Sequence, residues 1–581
     1  MILKGNQMLE NIDGAKLKSM TIEQLSALCE ELREKIIGSV MENGGHLSSN
    51  LGMVEITVAL HYVFNFPEDK VIFDVGHQCY THKMLSGRLD KFSSLRKRGG
   101  LSGFPKREES AYDCYNTGHA GTSVSAALGL AKARDLAGKD YNVIAVIGDG
   151  SFNNGLVYEA FNSLRPLGTN ILVIINDNGM SISPTVGSMH EYLEALSADE
   201  EEQYHKHRRA GIFEKFGFAY EGVFDGNDLA AMIAELTKIK EMLRTQSVIL
   251  HVLTKKGKGY SFCEENPEAT HGIGVKPAAV SVEYSQVLGE KLCELAANDD
   301  KIVAVTAAMT GSLGLSPFFE KYPERAIDVG ICEEHATILC ASMAAEGYKP
   351  YYAVYSTFLQ RSFDEIVIDI CSQNLPVTIC IDRAGISGAD GETHQGVFDL
   401  SFLSFIPNLT IAVPKDKDEF AAMLEFSAGY MKPLAIRYPR ACTHSFGGVS
   451  PVKEGTWEVL EEGDGAAAVL ACGERAIARA YQAVKQAGAC GRVMIVNARF
   501  IKPLDGNMLE KLRGRHIITV EDNMLAGGFG SLVAEYFADS DTKVKIFAYS
   551  DKFIEQGGVA ELMDDYGLNV GDMADYIRKI L

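Results

Sequence analysis

An aspartate and an asparagine 29 positions apart, Asp149 and Asn178, are the residues of this chain best placed to do chemistry. Asp149 sits in Gly148-Asp149-Gly150 at the end of the apolar run YNVIAVIGDG, and Asn178 closes a second run, NILVIINDN. Between the runs, residues 155–166 (GLVYEAFNSLRP) carry apolar side chains at helical spacing. Strand, helix, strand predicts a βαβ unit. Its right-handed crossover brings both strand ends to one sheet edge, where open α/β sheets bind ligands. A carboxylate and an amide oxygen are hard donors suited to Mg²⁺, which takes few protein ligands and completes its shell with water and phosphate. The glycines leave room for a diphosphate against the backbone. A second Gly-Asp-Gly, at 463–465, calibrates the signal: it follows Glu461-Glu462 rather than an apolar strand, and Val493 stands where the asparagine would be. That triplet reads as a polar turn, which is also the bland reading of the first.

The elements around these residues repeat one theme. Strand-like runs alternate with helical ones in three α/β blocks, with expected domains at 1–276, 277–445 and 446–581. The first block ends with SVILHVLTKKGKGY and is interrupted by a polar stretch, 183–211, expected to be a surface excursion. The second holds KIVAVTAAM, AIDVGIC, YKPYYAVYS, LPVTICIDR, LTIAVP and LAIRYP; the third holds AAAVLACG, RVMIVNARF and HIITVEDN. The expected fold is α/β, three domains with parallel or mixed sheets flanked by helices.

Bulk composition narrows the function classes. The 581 residues are 46% hydrophobic with a formal net charge of -21, enough for several cores and repulsive to nucleic acid and anionic membranes. Twelve cysteines are scattered without a CxxC pair, as expected of reduced thiols. His77, Cys79 and His82 lack a second ligand pair, so zinc is not expected. The first residues, MILKGNQMLENIDG, have no apolar core of signal-peptide length, and no run approaches the roughly 18 apolar residues of a membrane span. A soluble, cytoplasmic protein is expected.

Glu333 is the second key position. It opens the helical stretch EEHATILCASMAAEG directly after AIDVGIC; alone, it is a carboxylate favoured by a helix dipole. Together with Asp149 and Asn178 it resembles the thiamine-diphosphate enzyme superfamily, with its transketolase-like fold. There, one domain binds the diphosphate through GDG and a downstream asparagine, and a second supplies a glutamate to the aminopyrimidine. GGHLSSNLG (44–52), DVGHQCYTHKML (74–85), YSTFLQRSFDE (355–365) and DRAGISGADGETHQGVFDL (382–400) are similar to the 1-deoxy-D-xylulose-5-phosphate synthase family.

That resemblance covers almost the whole chain and implies a transferase using thiamine diphosphate and Mg²⁺. The implied reaction condenses pyruvate with D-glyceraldehyde 3-phosphate, with loss of CO₂, through an ylid and enamine on the cofactor. The product, 1-deoxy-D-xylulose 5-phosphate, feeds isoprenoid, thiamine and pyridoxal phosphate biosynthesis. Position by position, it implies Asp149, Asn178 and the Met180 carbonyl as metal ligands. His77, Gly118, His119, Ala120, Gly150, Ser151, Asn178 and Tyr260 become cofactor contacts, and Glu333 the activator. His46 and His394 become active-site histidines, and Tyr355 and Asp390 pocket residues. Arg361, Arg383 and Arg437 are candidates for the substrate phosphate and carboxylate, since a planar guanidinium suits both. The resemblance also implies a homodimer with the cofactor between the first two domains.

Each residue has a plainer reading. His46 and His394 could be turn residues, Arg437 or Arg440 of RYPR could be salt-bridged at a domain boundary, His335 is as readily packed as catalytic, and Cys332 reads as structural. Lys255, Lys256 and Lys258 read as a solvated turn with no role. Three departures from the family pattern stand out. Glu334 follows the activator where glutamine is usual, and a second carboxylate there would raise the pKa of Glu333. GHAGTS replaces GHSSTS, and the 183–211 stretch is short. Competing readings are a transketolase-like ketol transferase, an E1-type decarboxylase, and a non-catalytic paralogue that binds thiamine diphosphate.

Overall fold

The computed structural model describes residues 8–9, 12–181, 184–197, 211–274 and 282–581. Residues 183 and 198–210 of the polar stretch 183–211 lie outside the described residues; the rest includes a helix, Ser188–Ser197. The chain divides into two compact units, Met1–Lys276 with Gly330–Cys332, and Pro277–Val329 with Glu333–Leu581.

The first unit is built on an all-parallel sheet of β1 (Lys70–Phe73), β2 (Val143–Gly148), β3 (Leu172–Asp177), β4 (Phe218–Asp225) and β5 (Ser247–Leu253), in the order β1-β2-β3-β5-β4. Alternate residues along a strand point to opposite faces. Ile144, Val146, Leu172 and Ile174 accordingly join one core, while Val143, Ala145, Ile147, Val173 and Ile175 join the other. Both faces are covered, which is why β2 and β3 read as unbroken apolar runs. The crossover helix is Gly155–Leu167, opened by the Asn154 side chain accepting from Leu156 N–H (3.1 Å) and closed by Gly168 at φ 62°. The register pairs Gly148 with Asn176, so Asp149 and Asn178 follow directly on neighbouring strand ends.

In the second unit, β6 (Val282–Glu283) pairs with β13 (Ala441–Cys442). A seven-stranded sheet combines β7 (Ile302–Thr306), β8 (Ala326–Asp328), β9 (Lys349–Tyr355), β10 (Thr378–Asp382), β11 (Thr410–Ala412), β12 (Leu434–Arg437) and β17 (Phe500–Lys502), in the order β17-β11-β12-β10-β9-β7-β8. A five-stranded sheet combines β14 (Glu458–Glu461), β15 (Ala467–Cys472), β16 (Val493–Asn497), β18 (His516–Met524) and β19 (Lys543–Tyr549), in the order β14-β16-β15-β18-β19. Within these two sheets all neighbours are parallel except β17 on β11 and β14 on β16; the separate β6–β13 pair is antiparallel. Strand β17 belongs to the C-terminal segment yet extends the middle sheet. One apolar core therefore runs from Tyr284 to Phe537, shared by the residues before and after 445/446.

Candidate active site

The turn after β3 brings the first set of residues together. Gly179 N–H donates to Asp177 Oδ1 (3.1 Å) at a φ of 68°, and Thr185 N–H donates to the Gly179 carbonyl (3.0 Å). Met180 and Ser181 thereby fold back toward β2. A Cβ on Gly150 would stand 2.7 Å from Ser181 Cβ, so only glycine permits this approach. Asp149 is 1% exposed; its Oδ2 accepts the Thr185 hydroxyl (2.6 Å), while its Oδ1 has no hydrogen-bond partner among the described residues. Asn178 Oδ1 is likewise buried without a partner. Two unsatisfied buried oxygens at adjacent strand ends are costly unless something coordinates them, and their chemistry fits a hard divalent cation. Burial, helped by the Asp177 charge, pushes the Asp149 carboxyl up to about 6.

Lys256, read from the sequence as part of a solvated turn, is instead buried and donates to the Ser181 carbonyl. Burial pulls its ammonium down to about 8, against the pull of Asp149. It is the one cation of the TKKGKG run turned inward beside the aspartate. Three imidazoles gather nearby on the same unit: His46, His77 and His271, with ring centroids 5.1, 5.3 and 5.5 Å apart. Asn50 Nδ2 holds the His46 and His77 carbonyls, each at 2.7 Å. His271 was passed over in the sequence because a lone histidine in a polar loop carries no signal. Burial, with Lys256 and the other two rings, keeps its pKa well below the usual imidazole value. The Gly118-His119-Ala120 segment leads into the helix Ser123–Leu136. Tyr260 packs against Phe262 (6.2 Å between rings) and the apolar core.

In the second unit Glu333 is the first residue of the helix Glu333–Ala345, 2% exposed, with Oε2 lacking a hydrogen-bond partner among the described residues and Arg361 Nη1 3.8 Å away. Burial pushes its carboxyl up to about 7; Arg361 opposes this, and Glu334 adds only the smallest push. The Glu334 departure is therefore a minor influence beside desolvation. His335 is exposed rather than packed.

The substrate candidates line the carboxyl ends of β9, β10 and β12. Register pairs Tyr355 with Asp382. The next residue, Arg383, lies at φ 55° with its guanidinium 4.0 Å above the Tyr355 ring. A non-glycine residue in the left-handed region is held there only by its surroundings. Asp390 acts on the Arg383 charge, and burial pushes Asp382 up to about 7. Thr357 Oγ1 donates to the Thr393 carbonyl (2.8 Å), which fixes the loop of His394 beside Phe358 (5.7 Å between rings).

Arg437, at the end of β12, is held by partners of its own. It is 4% exposed, its Nε bonds both oxygens of Asp399 (2.8 and 2.9 Å), and its Nη2 donates to the Gly396 and Asp522 carbonyls (3.3 and 2.7 Å). Three of the five N–H donors of this guanidinium are thus engaged within the fold, in line with the salt-bridge reading of RYPR. Arg440, three residues on, is half-exposed, pairs with Glu283 (3.3 Å), and acts on the charges of Tyr355 and Asp382. The Gly463–Gly465 triplet is a turn: Asp464 accepts from Ala466 N–H (3.1 Å) and pairs with Arg492 (3.6 Å).

Comparison with known proteins identifies the family of this chain. The family profile described as 1-deoxy-D-xylulose-5-phosphate synthase matches residues 9–211 and 198–254. The transketolase pyrimidine-binding domain matches 280–444, and the transketolase C-terminal domain matches 455–573. The 1-deoxy-D-xylulose-5-phosphate synthase of Carboxydothermus hydrogenoformans is 43% identical over 97% of this chain and 97% of its own. Those of Caldanaerobacter subterraneus subsp. tengcongensis and Clostridium tetani are 44% and 42% identical, over 98% and 97% of this chain and 99% and 98% of theirs. The chain belongs to the 1-deoxy-D-xylulose-5-phosphate synthase family. Membership of the synthase family fits the transketolase-like α/β architecture of parallel and mixed sheets described above. No described helix is long and apolar enough to cross a membrane.

Proposed function

We propose that this chain is a cytoplasmic thiamine-diphosphate- and Mg²⁺-dependent synthase. It joins pyruvate to D-glyceraldehyde 3-phosphate, with loss of CO₂, to give 1-deoxy-D-xylulose 5-phosphate. The observation that carries the reading is a set of three buried oxygens without hydrogen-bond partners, Asp149 Oδ1, Asn178 Oδ1 and Glu333 Oε2, in a chain related over its full length to such synthases. Asp149, Asn178 and the Met180 carbonyl would hold the metal. His77, residues 118–120, Gly150, Ser151 and Tyr260 would hold the diphosphate and its ring. When bound, thiamine diphosphate supplies a nucleophilic carbon and an electron sink for decarboxylation of a 2-keto acid.

The chain's own residues do the rest. Glu333 would hold the cofactor's ring through its buried carboxylate. His46, His271 and His394 stand ready to move protons at the substrate oxygens. Arg361, Arg383 and Arg440 bind the carboxylate and phosphate, with Tyr355 and Asp390 bounding the pocket. Buried imidazoles depressed in pKa, as at His271, are neutral at pH 7 and can accept as well as donate. The domain division 1–276, 277–445 and 446–581 follows the three matched regions. A homodimer is supported by the apolar side chains Ile338, Ile368 and Phe405, which stand 43%, 53% and 64% exposed on the second unit; a sedimentation mass of one chain rejects it.

The test is purified protein with pyruvate, glyceraldehyde 3-phosphate, Mg²⁺ and thiamine diphosphate, with the product identified by mass. CO₂ release and a five-carbon deoxyketose phosphate are expected. Two-carbon transfer from a ketose phosphate without CO₂ overturns the reading in favour of a transketolase. Arginine substitutions separate the two RYPR residues. Arg440→Ala is expected to raise the KM for glyceraldehyde 3-phosphate by about tenfold or more with an unchanged Tm, since it loses a charge-assisted contact of roughly 1.5–3 kcal/mol. Arg437→Ala strands the buried Asp399 and lowers Tm instead. A selective KM effect in the second variant and none in the first reverses the assignment.

A further inference from the structure

Asp74 has no role among the residues discussed so far, yet three loops of the first unit meet on it. It follows β1, its N–H pairs with the Val146 carbonyl (2.8 Å), and its side chain is 1% exposed. Oδ1 accepts the N–H of Gly121 (2.9 Å) and Oδ2 the N–H of Ser123 (3.0 Å). The Ser151 hydroxyl, next to the Gly-Asp-Gly triplet, faces the same carboxylate. Its own carbonyl takes the N–H of Gly76 (2.6 Å) and Nε2 of Gln78 (3.1 Å).

These bonds hold unusual backbone. Val75 lies at φ 58° and Gly76 at φ 88°. A β-branched residue in the left-handed region is strained and persists only where its neighbours fix it. This turn delivers His77. A Cβ on Gly76 would stand 2.3 Å from Thr117 Oγ1, and one on Gly121 would stand 2.4 Å from Asn154 Oδ1. The His77 turn, the 118–123 loop and the start of the crossover helix are thus in mutual contact. Ser123 opens its helix with no side-chain cap from Thr122, and first-turn N–H groups have no acceptor within the helix. Asp74 supplies that acceptor from another strand, with a charge that suits a helix N-terminus.

We infer that Asp74 is the positioning residue for the cofactor's diphosphate: one carboxylate registers the His77 turn, the Gly118-His119-Ala120 loop and the Gly150-Ser151 turn against one another. The inference rests on the reading of these strand ends as a diphosphate site. A carboxylate that merely stabilised the fold would lower the amount of folded protein without changing how the folded molecules bind. A positioning carboxylate changes cofactor affinity while leaving the chemistry of the loaded enzyme intact.

The test is Asp74→Asn in the full chain, which keeps the size but turns one acceptor into a donor facing an N–H. Calorimetric titration with thiamine diphosphate at fixed Mg²⁺ is expected to show a dissociation constant raised by about 10–100-fold. Turnover at saturating cofactor should stay within about threefold of the parent. Hydrogen exchange of the cofactor-free variant is expected to show lost protection at the Gly121 and Ser123 amides, with β2 and β3 unchanged. An unchanged dissociation constant in folded variant overturns the inference. Parent protein that takes up no thiamine diphosphate overturns the underlying diphosphate reading instead. If the variant does not accumulate as folded protein, exchange in the cofactor-free parent decides. Slow Gly121 and Ser123 amides support the clamp, and exchange at open-loop rates overturns it.

Discussion

Glu333→Ala is expected to bind thiamine diphosphate and Mg²⁺ near normally and to lose turnover by about 10³-fold, the scale of a positioned acid–base group. Glu333 Oε2 is buried, has no hydrogen-bond partner, and has Arg361 3.8 Å away, so the carboxylate is not consumed by the fold. Glu333→Gln should fail almost as badly, because it keeps the shape and removes the basic oxygen. Near-parental rates in either variant remove Glu333 from the mechanism. The same group has a stability signature. Its pKa rises from 4.5 to about 7 on folding because burial disfavours the charged form. Folded protein therefore binds more protons than unfolded protein between those values, and stability falls as pH climbs from about 4.5 through 7. Cofactor-free Glu333→Gln should escape that cost, worth at most about 3 kcal/mol. Its Tm should exceed the parent's at pH 8 and the margin should shrink by pH 5. An equal margin at both values contradicts the burial account.

How much of this was legible in the sequence depended on whether the signal was local. The βαβ unit with Asp149 and Asn178 was readable because two apolar strands and an amphipathic helix, with the chemical residues at the strand ends, fix topology within about forty positions. The other Gly-Asp-Gly was rejected on the same ground, and Asp464 is indeed bonded to its own turn. The arginines of RYPR were not separable. Arg437 faces Asp399, which lies 38 positions away in sequence, and nothing near residue 437 announces that partner. Lys256 was lost for a related reason: a KK-K run looks solvated, and only the fold reveals that one amine turns inward to Ser181. Strand β19, KVKIFAY, alternates exposed lysine with inward apolar residues at its start. That period-two signal was present and unread. β4 was harder, because its register slips between Glu221 and Phe224 and its pattern breaks with it.

Asp149→Asn should remove Mg²⁺-linked cofactor uptake, weakening thiamine diphosphate binding by about 100-fold or more. Asparagine preserves volume and can still accept the Thr185 hydroxyl now 2.6 Å from Oδ2, so the turn should survive and the lost quantity is charge. A hard dication bound by one carboxylate and one amide owes most of its affinity to that single negative charge. Lys256, buried on the same side and drawn to Asp149, sharpens the loss: without the carboxylate, its ammonium repels the incoming metal. Asn178→Ala should cost less, since it removes a neutral donor and leaves the charge. Asp464→Asn, in the other Gly-Asp-Gly, should leave binding untouched. Titration of cofactor with and without Mg²⁺ across these three variants separates a metal site from a mere turn. If Asp149→Asn binds as tightly as Asp464→Asn, the two unpartnered oxygens at the ends of β2 and β3 do not hold a cation.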